Sequence, residues 1–332
     1  MRRSSRRLTA VALLGVLTFM TGPAVVPVRT SADSLSMGVI GMFPRQVGQF
    51  AYADLKSARQ YSWFAQAREQ LFPPHFRQFE QFLASAGVDP NTHVEELAWG
   101  ELPLSRSVGV EAVGVALGSF DPSSIEDRFK QQKFPVVDYR GYHLYANGIG
   151  STSSDILFTF LDSSTAAFGP RPTLEKLVDV RMGTSESLLT NDTLFPLISE
   201  ANGSGVFWAV LDKSYTHVAM QQLIPQAGQI RQAAAIINRM HAMMIIVDAG
   251  RGMDARFQAV CDSVDDANLL GVALQAGVMY RRYQDPQTHP DLAQVLDNIR
   301  VTPRGDRLTV EVPVSEDQLG ALIKSKPFAV PM

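Results

Sequence analysis

The amino-acid sequence predicts an α+β protein: mostly antiparallel sheets backed by helices, in two related lobes built from strand-turn-strand-helix units. Two observations carry this. Alternating or branched apolar runs occur in pairs separated by two to four turn-forming residues, which is the mark of hairpins. At least three of those pairs are followed by a capped amphipathic helix, so one grammar recurs along the chain.

The first strand is read at Gln49 to Asp54. Lys56 to Leu71 and Pro74 to Ala86 read as helices broken at Pro73-Pro74, the second carrying Phe76, Phe79, Phe82 and Leu83 at helical spacing and stopping at Gly87. Val94 to Leu102 and Val108 to Gly118 follow as strands, the second so apolar that both faces must be covered. Asp121-Pro122-Ser123 opens a helix, with Ser123 three residues before Glu126 as a capping box. Val136 to Tyr139 and His143 to Ala146 pair across Arg140-Gly141; Asp155 to Asp162 and Thr165 to Phe168 pair across Ser163-Ser164; Thr173 to Val180 is the helix behind them.

In the second half Val206 to Asp212 is a strand, and His217 to Leu223 and Gln229 to Met240 are helices. Met244 to Asp248 pairs with Asp254 to Cys261, and Ser263 starts a helix from Ala267 to Tyr283. Val301 to Pro303 pairs with Arg307 to Val312 across Arg304-Gly305-Asp306, and Ser315 starts a last helix to Ser325. The lobes are expected at 33–195 and 196–332, the boundary falling loosely near 185 to 205.

The first 32 residues read as an export signal. MRRSSRR is followed by the uncharged run Leu8 to Met20 and then by small residues, with Ala32 as the preferred cleavage position and Ala24 as the other candidate. Thirteen residues fall short of the ~20 that a spanning helix needs, so no membrane span is expected after cleavage. Ser5-Arg6-Arg7-Leu8 faintly resembles a twin-arginine signal, but two arginines before an apolar run are common in ordinary signals, so the general route is preferred over it. Loss of this segment leaves 25 basic against 33 acidic residues, a net charge of −8 with the basic residues scattered, which speaks against a nucleic-acid partner. The single cysteine, Cys261, excludes an intramolecular disulfide and reads as a small buried hydrophobe.

The strings that carry well-known chemistry are missing from the sequence: Gly-x-Ser-x-Gly, Ser-x-x-Lys, the phosphate loop and the dinucleotide fingerprint. The six histidines are too far apart for paired metal ligands on one helix face, and no cofactor is implied. Three residues stand out as ligand-binding candidates. Arg171 is the only charge in the Gly-Pro-Arg-Pro corner at a helix start, where free amides favour anions. His143 and Tyr145 sit together on a strand. Glu95-Glu96 reads as a solvated strand entry, while Asp265-Asp266 and Glu316-Asp317 lie where helix starts want negative charge. Asp and Gly in Arg304-Gly305-Asp306 are what a tight hairpin demands.

Gly87-Val88-Asp89-Pro90 before a Glu-Glu-Leu strand entry, the Leu161-Asp162 hairpin ending at Phe168-Gly169, and the segment LAQVLDNIRVTPRGDRLTVEVPVSEDQLGALI carry a resemblance across most of the mature chain. In these the chain resembles a loose group of exported bacterial proteins of unassigned activity. The resemblance implies a periplasmic or extracellular envelope protein and supplies no functional residue. Export, an ordered core and the missing motifs favour a non-enzymatic binding or assembly factor, with an envelope protein or a small or hydrophobic ligand as partner. A hydrolase or carbohydrate-active enzyme with a dispersed site is the alternative; two convergent carboxylates in a pocket, or His143 against a carboxylate and a hydroxyl, would favour it. A hydrophobic-ligand carrier is a third reading, motivated by the helix aromatics and by the methionines between 240 and 244.

Overall fold

Asp54 ends the first strand and caps the turn that follows, its Oδ1 accepting from Ser57 N at 2.8 Å; Asp212 ends a later strand and does the same for Tyr215 N at 3.0 Å. That recurrence runs through the molecule. The computed structural model describes residues 34–65, 68, 74–103, 110–147, 155–223, 237–249, 252–284 and 290–319. The expected export signal lies outside them.

Among the described residues, twelve strands form one continuous antiparallel sheet in the order β11-β12-β10-β9-β8-β1-β2-β3-β7-β6-β5-β4. They are β1 Gln49–Asp54, β2 Val94–Pro103, β3 Val110–Gly118, β4 Val136–Tyr139, β5 Tyr142–Asn147, β6 Ile156–Phe160, β7 Thr165–Pro170, β8 Phe207–Asp212, β9 Met240–Ala249, β10 Gly252–Cys261, β11 Arg300–Arg304 and β12 Arg307–Ser315. The longer helices are α1 Pro74–Ser85, α2 Pro122–Gln131, α3 Arg171–Arg181, α4 Leu194–Ala201, α5 Lys213–Leu223, α6 Val264–Gln284 and α7 Pro290–Asn298. No helix among the described residues is long and apolar enough to cross a membrane.

The two halves share a topology. β1-β2-β3 and β8-β9-β10 are meanders, and in each half a later hairpin returns to the third strand, β7 to β3 and β12 to β10. The halves meet where β1 pairs with β8, centred on Ala51 opposite Ala209. Their hydrogen bonds correspond: Asp54 N to Val206 O and Asp212 N to Gly48 O are both 2.8 Å, and Gly118 N to Ser164 O at 2.9 Å is matched by Cys261 N to Asp306 O at 2.8 Å. The division expected between 195 and 196 falls inside α4, and the sheet is unbroken from one half to the other.

Each strand side serves a separate core. Ala51, Ala53, Trp99, Ala209 and Leu211 face one layer with α1, α2, α5 and α6, whereas Phe50, Tyr52, Trp208 and Val210 face the other with α3, α4 and the segment from Leu35 to Val47. This two-sided burial is why the central strands read as almost unbroken apolar runs. On α1 the predicted face is buried: Phe79 stacks on Phe168 at 4.7 Å, and Phe82 lies 4.0 Å from Phe158 and 4.1 Å from Phe129.

Three local expectations change. Met240 opens β9 and pairs with Cys261, so it is not the end of a helix; of the helix expected at 229–240, residues before 237 lie outside the described ones. The helix expected from Lys56 is a single turn, Leu55–Ala58, followed by a bend, and much of its expected C-terminal part lies outside the described residues. The cap of α2 is Asp121, whose Oδ1 accepts from Ser124 N at 3.2 Å, because Pro122 already occupies the first turn and Ser123 is inside the helix. Ser315 behaves as expected: its Oγ accepts from Gln318 N and Gln318 Oε1 accepts from Ser315 N, a reciprocal box.

Candidate functional site

A cleft of about 400 Å³ opens between the segment Ser36 to Met42 and the ends of three strands. Its floor is a cross-strand row, since Glu96 of β2 pairs with Leu117 of β3 and Leu117 pairs with Thr165 of β7. The register shifts between Val94 and Glu96, a bulge that inserts one extra residue, and Glu95 lines the same cleft as Glu96. Regular pleating would have sent consecutive side chains to opposite faces, so the bulge is what gathers two carboxylates here. The walls are Gly38, Val39 and Met42, with the hydroxyls of Ser36 and Ser164 at the rim.

The carboxylates are anchored differently. Tyr52, wholly buried, donates its hydroxyl to Glu96 Oε2 at 3.0 Å, and Lys56 Nζ lies 3.2 Å from Glu95 Oε2 on the exposed side. The wall is fixed from the other half of the chain: Asn202 donates to Leu35 O and accepts from Leu35 N, both at 2.8 Å, and Ser187 Oγ donates to Gly41 O at 2.8 Å. At the rim, Asp162 accepts from the backbone and hydroxyl of Ser164, which together with nearby Arg181 hold its carboxyl below the usual range against the opposing effect of burial.

His143 and Tyr145 come together at Glu126. Glu126 Oε2 on α2 accepts from Tyr145 Oη at 3.0 Å and lies 3.2 Å from His143 Nδ1. Asp138 lies 3.4 Å from His143 Nε2. Burial, then the Glu126 contact, raises the Tyr145 phenol far above its ordinary value. One carboxylate oxygen thus ties α2 to β5, and the hydroxyl proton is already committed to it, so the group is arranged as a clamp.

Arg171 Nε donates to Glu175 Oε1 at 2.8 Å, one turn along its own helix. Cys261 is buried, and burial followed by the neighbouring Asp266 pushes its thiol up to about 11, which leaves it protonated near neutrality. A second carboxylate pair faces the other layer. Burial raises Glu101 and Asp212 above their ordinary values, and Tyr215 beside them is raised by burial and then by both charges. The Tyr215 ring and Asp212 Oδ2 crowd Gly48, where a Cβ would lie 2.5 Å from the ring, so this corner requires glycine.

No protein-family model matches this chain, and no curated protein matches it. Two solved structures share its fold, both crystal forms of TP0453. Form I has a TM-score of 0.51 at 12% identity, covering 90% of this chain and 99% of the other; form III has 0.50 at 11%, covering 90% and 100%.

Proposed function

We propose that this chain is an exported cell-envelope binding protein, without catalysis of its own, that holds a small polar ligand in the cleft above Glu96. The observation that carries the reading is the bulge at Val94–Glu96, which places two carboxylates in one cleft beside hydroxyls and apolar walls. Five of the ten lining residues, Ser36, Glu95, Glu96, Ser164 and Thr165, carry polar side chains against the apolar Val39, Met42 and Leu117, which suits a polar ligand. Successive residues of one strand lie on one side of a bound molecule, whereas glycoside hydrolysis needs carboxyls flanking the scissile bond. That geometry favours holding over cleaving; the group His143, Glu126 and Tyr145 is the arrangement the hydrolase reading asks for, but its hydroxyl is already bound to Glu126 and it lies outside the cleft. The hydrophobic-carrier reading loses its motive, because Phe79 and Phe82 fill the space between α1 and the sheet themselves and Met240, Met243 and Met244 are buried in the two cores.

The experiment is recovery of the protein from its native envelope, with mass spectrometry of what co-purifies, for wild type and Glu96→Gln. A stoichiometric small molecule retained by wild type and lost from the variant supports the reading. Turnover of an envelope glycan by the purified protein, abolished by the same substitution, replaces it with the hydrolase.

A further inference from the structure

The helix α6 carries an apolar face that nothing among the described residues covers. Its inner side is packed, with Ala267, Leu270 and Gly271 buried and Leu308 3.2 Å from where a Gly271 Cβ would stand. Its outer side exposes Leu269 at 49%, Val272 at 64% and Met279 at 63%, with Ala273, Ala276 and Gly277 exposed between them. From Ala267 to Tyr280 there are fourteen residues without a charge.

The fold does not impose this. The other half contains the helix in the equivalent place, α2, which also follows the third strand of its meander and packs on the same layer. It exposes Ser123, Ser124, Asp127, Arg128, Lys130 and Gln131. Two helices with one structural task differ in their outward faces, so the apolar one answers to something outside the fold. Exposed contiguous apolar surface of this kind marks an interaction site.

We propose that α6 pairs with α6 of a second copy of this chain, antiparallel about a two-fold axis. Leu269, Val272, Ala276 and Met279 follow the three-four-three spacing of a helix-packing seam. That seam is self-complementary, as a two-fold contact requires: with the axis beside residue 274, Leu269 meets the partner's Met279 and Val272 meets the partner's Ala276, large against large at the ends and large against small at the centre. A charge-free seam also brings no like charges together in an acidic chain. The adjoining edge strand β11 carries Arg300, Pro303 and Arg304, features that blunt strand-to-strand addition, so the contact belongs to the helix. A single-helix seam falls short of the ~800 Å² per partner of a stable interface, so the pairing is a weak one, to be sought at protein concentrations of roughly 10–100 µM.

Sedimentation of the purified protein across that range tests it, for wild type, Val272→Glu, Ala276→Lys and an equimolar mixture of the two variants. The expected result is concentration-dependent dimerisation of wild type, weakened about tenfold or more by Val272→Glu, and restored in the mixture because the carboxylate introduced on one copy meets the ammonium introduced on the other. Val272 is exposed, so unchanged thermal unfolding of the variant separates loss of pairing from loss of fold. A wild type that stays monomeric throughout, or dimers indifferent to Val272→Glu, overturns the proposal. So does a monomer that sediments with phosphatidylcholine vesicles unless Val272 is charged, which assigns the face to lipid.

Discussion

Ala51 of β1 stands opposite Ala209 of β8 at the centre of the sheet, and the two are buried on the same face. On the reverse face their neighbours Phe50 and Tyr52 each lie 5.6 Å from the Trp208 ring. Small residues on one side and large ones on the other set how closely each layer approaches the join between halves. Ala51→Leu and Ala209→Leu are each expected to overpack it at a cost of about 1–3 kcal/mol, seen as a lower urea midpoint.

Capping of α2 gives a sharper test, because sequence pattern and structure name different residues. Asp121→Ala is expected to cost about 1 kcal/mol, and Ser123→Ala close to nothing, in the same unfolding measurement. Equal effects would return the cap to Ser123.

The clamp on Glu126 is expected to matter for stability alone. Tyr145→Phe removes the hydroxyl that Glu126 accepts and should cost about 1 kcal/mol, while ligand retention in the envelope recovery stays as in wild type. Loss of the ligand with unchanged stability would move the functional site to β5.

Glu101 sets a pH dependence whose sign follows from its burial. Its carboxyl is raised above the ordinary 4.5, so the unfolded chain gives up the proton more readily, and stability falls as pH rises from that value through the raised one. Asp212 is raised in the same direction. Glu101→Gln should therefore unfold at a higher temperature than wild type at pH 7, and the difference should vanish below about pH 4. A variant less stable than wild type at pH 7 would mean that the charge is needed.

Much of the fold is legible in the residues, for identifiable reasons. β1 can be read residue for residue because a two-sided apolar run ends on an aspartate that must cap something. The hairpin at Arg140-Gly141 is legible because a two-residue connection needs left-handed backbone, and both residues adopt it, at φ of 50° and 86°. α4 and α7 are hard to see in the residues because each is short and carries a proline, Pro196 or Pro290, which a helix tolerates only in its first turn. Met240 misleads because methionine suits helix and strand cores alike. The cleft is the least legible part. Glu95-Glu96 is visible as a pair, but a bulge depends on how β3 pairs with β2, and the wall comes from a segment nailed down by Asn202 and Ser187, more than 140 positions away.

The Ala51–Ala209 join protects both halves from edge pairing. A chain holding only one half would end its sheet in a bare strand, and here β1 and β8 each cover the edge the other would expose. Where the first half sets Glu96, Leu117 and Thr165 in a row, the corresponding row of the second is Ala242, Val260 and Arg307, and Arg307 is held by Glu200 at 2.7 Å. The same three positions thus form an acidic recess in the first half and carry the Arg307–Glu200 ion pair in the second.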